Sequence, residues 1–184
     1  MAKIIPNARK HILSTAKAIV STQGIDALNM RSVSHGCGIA LGTIYNYFPT
    51  KADLLVELMA SYWDDFFIKV EEYLQEEHDF YTALHCIFKL QSQYVNAFRV
   101  EWLVPSFYQT PKGVQKGVIL EQRYLQRFTQ QIESLISKAH KAGYISPKRS
   151  EQDTAQFIQF NLVSLSRQHT ISYDLFEDFL RELL

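Results

Sequence analysis

The chain has 184 residues, 47% of them hydrophobic and 21% charged, and its 19 Lys and Arg balance 19 Asp and Glu. Such a chain suits one sizeable soluble domain or a small one joined to a larger, and no apolar run approaches the ~18 to 20 residues of a membrane span. Zero net charge, taken alone, argues against nucleic acid as a partner. Two solitary cysteines, Cys37 and Cys86, argue against a disulfide framework and for a reducing compartment.

The first residues, MAKIIPNARKHIL, hold no signal-peptide core and no small-residue cleavage site, so a cytoplasmic protein is expected. Asn7 reads as an N-cap, after which Ile12, Leu13, Ala16, Ile19 and Val20 recur at helical spacing until Gly24. Asn29 opens a short segment from Met30 to about His35. Gly36 and Gly38 punctuate the chain, and Leu41 to Phe48 forms a third helix ending at Pro49. Thr50 reads as the N-cap of a long helix with an apolar stripe at Leu54, Leu55, Leu58, Met59, Tyr62, Phe66, Val70 and Leu74. Asp79 opens the next, carried to Phe98. Residues 99 to 111, apolar but broken by Pro105 and Pro111, read as a short helix and a turn. A long helix follows from Val114 past Ile136 to Gly143, and residues 150–169 and 172–184 form the last two. No repeat and no period-2 strand appears. The predicted fold is all-α, with about nine helices divided between residues 1–50 and a larger bundle at 51–184.

The charges are not evenly spread. Up to Thr50 there are five basic residues (Lys3, Arg9, Lys10, Lys17, Arg31) and one acid (Asp26), a balance of +4; the remaining 14 basic and 18 acidic residues give −4. A basic end of this kind suits a nucleic-acid-facing surface, although a solvated basic face is the commoner source of one. Two short helices around a Gly-containing turn make a helix-turn-helix candidate, whose second helix would enter the major groove. In that helix, LGTIYNYF, Ile44 and Phe48 face the core, whereas Thr43, Asn46 and Tyr47 turn outward.

The stretch GIALGTIYNYFPTKADLL resembles the signature of the TetR family of transcriptional regulators. The matching residues are Gly38, Gly42, Thr43, Ile44, Tyr45, Phe48, Pro49, Lys51, Leu54 and Leu55, with Arg31 and Val33 in the helix before. The resemblance covers roughly residues 8 to 60. Ser34, Gly36, Ala40 and Leu41 depart from the usual pattern, and an interior helical Gly costs ~1 kcal/mol relative to Ala.

The resemblance implies a ligand-responsive regulator, most simply a repressor, acting on double-stranded operator DNA as a homodimer paired through its last two helices. It implies hydroxyl contacts from Thr43 and Tyr47 to the DNA backbone, and it favours a phosphate contact for Lys51 at a helix start. Arg31 is the candidate for a guanine, or else a phosphate. Leu41 and Gly42 are candidates for thymine methyls and Asn46 for adenine. Tyr45 is left between core and base-facing. The resemblance also implies a small-molecule effector site in the bundle. Trp63, Phe67, Phe88, Tyr94, Trp102, Tyr124 and Phe128 are its candidate walls, with His85, Cys86, Gln91 and Asn161 as polar handles; the same aromatics would serve equally as plain core.

Enzyme signals are poor: HExxH, ExxH, GxSxG and GxxxxGK[ST] are all missing, and six scattered His show no metal-ligand spacing. No catalytic residue, metal or cofactor is therefore expected. The alternative function is a helical small-molecule-binding protein with a degenerate DNA-binding head, for which Gly36 and Leu41 are the best arguments.

Overall fold

A computed structural model describes residues 7–101, 111–168 and 171–184. The described residues are helical and contain no strand: α1 (Ala8–Gln23), a 3-10 turn (Ile25–Ala27), α2 (Met30–Cys37), α3 (Leu41–Tyr47), α4 (Lys51–Tyr73), α5 (Phe80–Glu101), α6 (Pro111–Lys141), α7 (Glu151–Arg167) and α8 (Tyr173–Leu183). The short helix and turn expected at 99–111, and Trp102 with them, fall largely or wholly outside the described residues.

Most of the helix starts are held by side chains that the sequence marks. Asn29 Oδ1 accepts the backbone N–H groups of Arg31 (3.0 Å) and Ser32 (2.9 Å), while Ser32 Oγ accepts that of Asn29 (3.0 Å), a reciprocal capping box. Thr50 Oγ1 accepts the Asp53 N–H at 3.1 Å, and Asp79, Ser150 and Ser172 likewise accept N–H groups in the first turns of α5, α7 and α8. Asn7 departs from the expectation. It precedes α1 in the left-handed region at φ 57°, which Asn tolerates, and its side chain makes no capping bond.

The chain divides into two compact units. One comprises residues 1–62 with 98–120, the other 63–97 with 121–184, so α4, α5 and α6 contribute residues to both. The core of the first unit gathers Ile12, Leu28, Val33, Ile44, Phe48 and Leu54, all 0% exposed, with Leu58 beside them. The core of the second is built on Phe66, Leu84, Ile87, Phe128, Ile132, Ile136, Ile158 and Leu162.

Gly36 has a packing reason. A Cβ placed on it would lie 2.8 Å from Thr15 Cγ2 of α1, closer than van der Waals contact allows. The bare backbone of α2 is what lets α1 come so near, so the helix-propensity cost of this glycine is offset by helix–helix contact.

Candidate nucleic-acid interface

The two short helices are joined through Gly38, whose φ of +66° is a conformation that side-chain-bearing residues rarely adopt. The turn is fastened from both sides. Ser34 Oγ donates to the Ile39 carbonyl at 2.7 Å, and the Ile39 side chain is buried. Ala40 offers no side-chain cap to α3; instead its carbonyl accepts the N–H groups of Thr43 (2.8 Å) and Ile44 (3.1 Å). A seven-residue helix has little stability of its own, and α3 is held because Ile44 and Phe48 are wholly buried.

The outward face of α3 carries Gly42, Tyr45 and Asn46. Tyr45, open between two placements in the sequence, is 45% exposed and so is not a core residue. Thr43 is half-buried. Leu41 and Tyr47 are also half-buried and lean on the core of their own unit, so neither side chain is wholly free for a partner. Gly42 differs from Gly36: a Cβ on it would meet no atom within 4 Å. Among the described residues nothing requires a glycine there, and helix propensity opposes one. Its smoothness faces outward, as close approach to a flat partner would require.

Arg31, one residue into α2, is exposed, and Lys51 opens α4. The basic character of this end is smaller than a residue count suggests, because Arg9 is engaged. Its Nε donates to Glu57 Oε2 at 3.0 Å, its Nη2 donates to Glu57 Oε1, and its guanidinium lies 4.9 Å from the Phe48 ring centroid. Its Nη1 also reaches the Tyr47 carbonyl at 3.5 Å, tying α1 to the end of α3. Sequence reasoning missed this pair because its members lie 48 positions apart. In the first turn of α4, Asp53 takes a hydrogen bond from Lys116 of α6 and another from Thr50 Oγ1 at 2.6 Å; these, Lys116 first, hold its carboxyl below the usual carboxylate range.

In the second unit, aromatic rings form a cluster around Phe66 and Tyr124. Trp63 lies 4.4 Å from Tyr124 between ring centroids, Phe67 5.6 Å and Phe128 5.8 Å, and Tyr94 lies 5.4 Å from Phe66. Five of the seven aromatics named from the sequence thus come together. Phe88 stacks instead on Tyr173 of α8 at 4.7 Å, and Trp102 is outside the described residues. Phe66, read from the sequence only as part of the α4 stripe, proves to touch five of the rings in its neighbourhood. Of the four polar handles, Gln91 alone is wholly buried; Asn161 donates back to the Phe157 carbonyl of its own helix at 2.8 Å, and His85 stacks on Tyr173. Among the described residues, no three His, Cys, Asp or Glu gather as a metal site, and no helix is long and apolar enough to cross a membrane.

Residues 12–58 match the family model of bacterial regulatory proteins, tetR family. Over 52 residues the chain is 44% identical to the HTH-type transcriptional repressor KstR of Rhodococcus jostii (strain RHA1), a match that covers 28% of this chain and 24% of the relative. The chain therefore spans about a quarter of the length of that relative. Similarity of fold extends much further. A transcriptional regulator from Cytophaga hutchinsonii superposes with a TM-score of 0.71 at 18% identity, covering 86% of this chain and 80% of that one. The regulator FadR from Bacillus subtilis, in a complex with stearoyl-CoA, superposes at 0.56 and 18% identity, covering 86% and 84%.

Proposed function

By its residues 12–58 the chain is a TetR-family regulator, and from that premise we propose that it is a repressor that binds operator DNA as a homodimer and is released by a small-molecule effector. The observation that carries the reading is the outer face of α3, where a glycine that no internal contact requires sits beside exposed Tyr45 and Asn46. In this reading α3 lies in the major groove, with Gly42 letting the backbone approach base edges and Asn46 and Arg31 reading them. Thr43 and Tyr47 hydroxyls and the Lys51 ammonium hold phosphates.

Exposed apolar stripes support self-pairing of the last two helices. Phe157 and Phe160 lie one turn apart on α7, the latter 72% exposed, and Leu175, Phe179 and Leu183 repeat every four residues along α8. A helix apolar on its inner and outer faces calls for cover on both. Two-fold pairing there would present two copies of α3 to half-sites about one DNA turn, ~34 Å, apart.

Release follows from population shift. An effector that fits one arrangement of the bundle better than another moves the protein toward it, by no more than its difference in affinity. Helix α4 is the proposed lever, since it begins at Lys51 and carries Trp63, Phe66 and Phe67 further along. Stearoyl-CoA in the B. subtilis neighbour is a precedent for an effector with a long apolar part.

The two arguments for a degenerate head lose force, because Gly36 answers to Thr15 and Leu41 leans on the core. The test is binding of the purified protein to duplex DNA, including the region beside its own gene, across a salt series. Lys51→Ala is expected to weaken all sequences alike and lower the log–log salt slope by ~1, whereas Arg31→Ala relaxes preference at one position. Affinity for duplex DNA that ignores salt and sequence would sink the reading.

A further inference from the structure

The aromatic cluster of the second unit contains a polar defect. Gln91 of α5 is 0% exposed, and neither end of its amide has a hydrogen-bond partner. The Tyr124 hydroxyl of α6, also buried, has none. The two are neighbours: burial, the stronger influence, pushes the Tyr124 hydroxyl up while the Gln91 side chain beside it pulls the other way, although no hydrogen bond of normal geometry joins them. Tyr124 therefore stays protonated and able to donate. Around them stand Trp63, Phe66, Phe67 and Phe128, whose ring faces make no use of an amide.

Such a defect is costly. A buried donor or acceptor left unpaired forfeits its bonds to water without replacement, and folded proteins keep few such groups. Leucine or methionine at position 91 would fill similar space without that loss, so stability does not account for the glutamine. A ligand that completes its hydrogen bonds does. The chemistry of that ligand follows from what surrounds it. The buried polar residues among those described are Gln91, Thr154 and Ser166, none of them charged. The cations that border the cluster lie on its outer side: Arg167 is exposed and paired with Glu121 at 3.0 Å, Arg127, 4.3 Å from the Phe67 ring centroid, is paired with Asp64 at 2.7 Å, and Lys69, 5.2 Å from the Tyr94 ring centroid, is exposed. An ionised group seated at Gln91 would lose its hydration and find no buried countercharge among the described residues.

We infer that the effector is a neutral molecule whose hydroxyl or carbonyl oxygen seats between the Gln91 amide and the Tyr124 hydroxyl, with an apolar body against the Trp63, Phe66 and Phe128 rings. Both side chains donate to that oxygen, and the Gln91 carbonyl accepts in return when the oxygen carries a proton. The inference deepens the proposed function and rests on its effector reading, since it says which chemistry that site selects. A carboxylate-ended molecule of equal length is excluded from it.

Four probes of one chain length test it: 1-octanol, 2-octanone, n-octane and octanoate, titrated into the full-length protein and followed by tryptophan emission and by thermal shift. Octanol and octanone are expected to bind about tenfold more tightly than octane, the worth of one or two well-made hydrogen bonds. Octanoate is expected to bind no better than octane at neutral pH. Gln91→Leu brings octanol affinity down to that of octane and leaves octane unchanged; Gln91→Met serves if that variant does not fold, and Tyr124→Phe causes part of the same loss. Octane or octanoate binding as tightly as octanol, no binding by any of the four, or an octanol affinity indifferent to both position-91 variants overturns the inference. Operator binding is read in parallel. Probes that bind in the stated order without changing DNA affinity would sink the ligand-responsive reading and leave the site standing. DNA binding released by some other compound, with the four probes undiscriminated, would do the reverse.

Discussion

The helix-turn-helix and the aromatic bundle place their polar groups by opposite rules. Around α2 and α3 the buried or turn-forming polar groups are partnered over short chain distances, as with Asn29 and Ser32 or Ser34 and Ile39, and the groups without internal use point outward. In the bundle the most deeply buried amide, Gln91, has no partner at all. A region that works at its surface can satisfy its interior fully, because its function costs the fold nothing. A region that works in its interior must leave bonding capacity unspent there, and it gives up stability to do so.

The contrast can be pressed by substitution, beginning where the effect is greatest. Phe48→Ala removes a ring that is 0% exposed and anchors the end of α3, and it should cost ~3 to 5 kcal/mol in chemical denaturation together with DNA binding. An unchanged midpoint would mean that α3 does not depend on this burial. Next is Gly36→Ala, which should destabilise by ~1 to 2 kcal/mol despite the better helix former, because the new methyl meets Thr15. The double variant Thr15→Ser, Gly36→Ala should recover most of that loss, and a single variant more stable than the parent would refute the packing account. Gly42→Ala carries the opposite sign: with open space around it, stability should rise by up to ~1 kcal/mol while operator affinity falls. If affinity holds or improves, α3 does not bring its backbone close to DNA.

The smallest effect is that of Asp53. Its folded-state carboxyl titrates below the ordinary value, so its contribution is fully present above about pH 4 and fades as pH drops through the depressed value. Both partners are about one-third exposed, which screens the pair to ~0.5 kcal/mol. Asp53→Asn should accordingly flatten the acid limb of the stability–pH curve and leave the region from pH 5 to 7 parallel to the parent. A divergence that grows above pH 5 would point to another group.

The same contrast governs what the sequence reveals. In the head, the caps at Asn29 and Thr50, the stop at Gly38 and the inward pair Ile44 and Phe48 are legible because each depends on neighbours within a turn or two. The charge of that end was legible only as a sum. Arg9 pairs with Glu57 and Lys116 with Asp53, across 48 and 63 positions, and no local pattern announces either. In the bundle, residue type alone cannot separate Phe88, stacked on Tyr173, from Phe66 at the centre of the cluster. That choice depends on how α5 and α8 are rotated about their axes, which the apolar period fixes only to within a broad stripe. Gln91 stood among four equal candidates for the same reason.

The brevity of α3 has a thermodynamic consequence for the encounter with DNA. Seven residues lacking a side-chain cap would not hold a helix in water, and here Ile44, Phe48 and the Arg9 bond to the Tyr47 carbonyl impose one before any partner arrives. The conformational entropy of the reading element is thus surrendered once, when the chain folds, and not again at each association. Calorimetry of operator binding should then register a heat-capacity decrement that matches the contact area alone, without the excess that accompanies a segment folding onto its target.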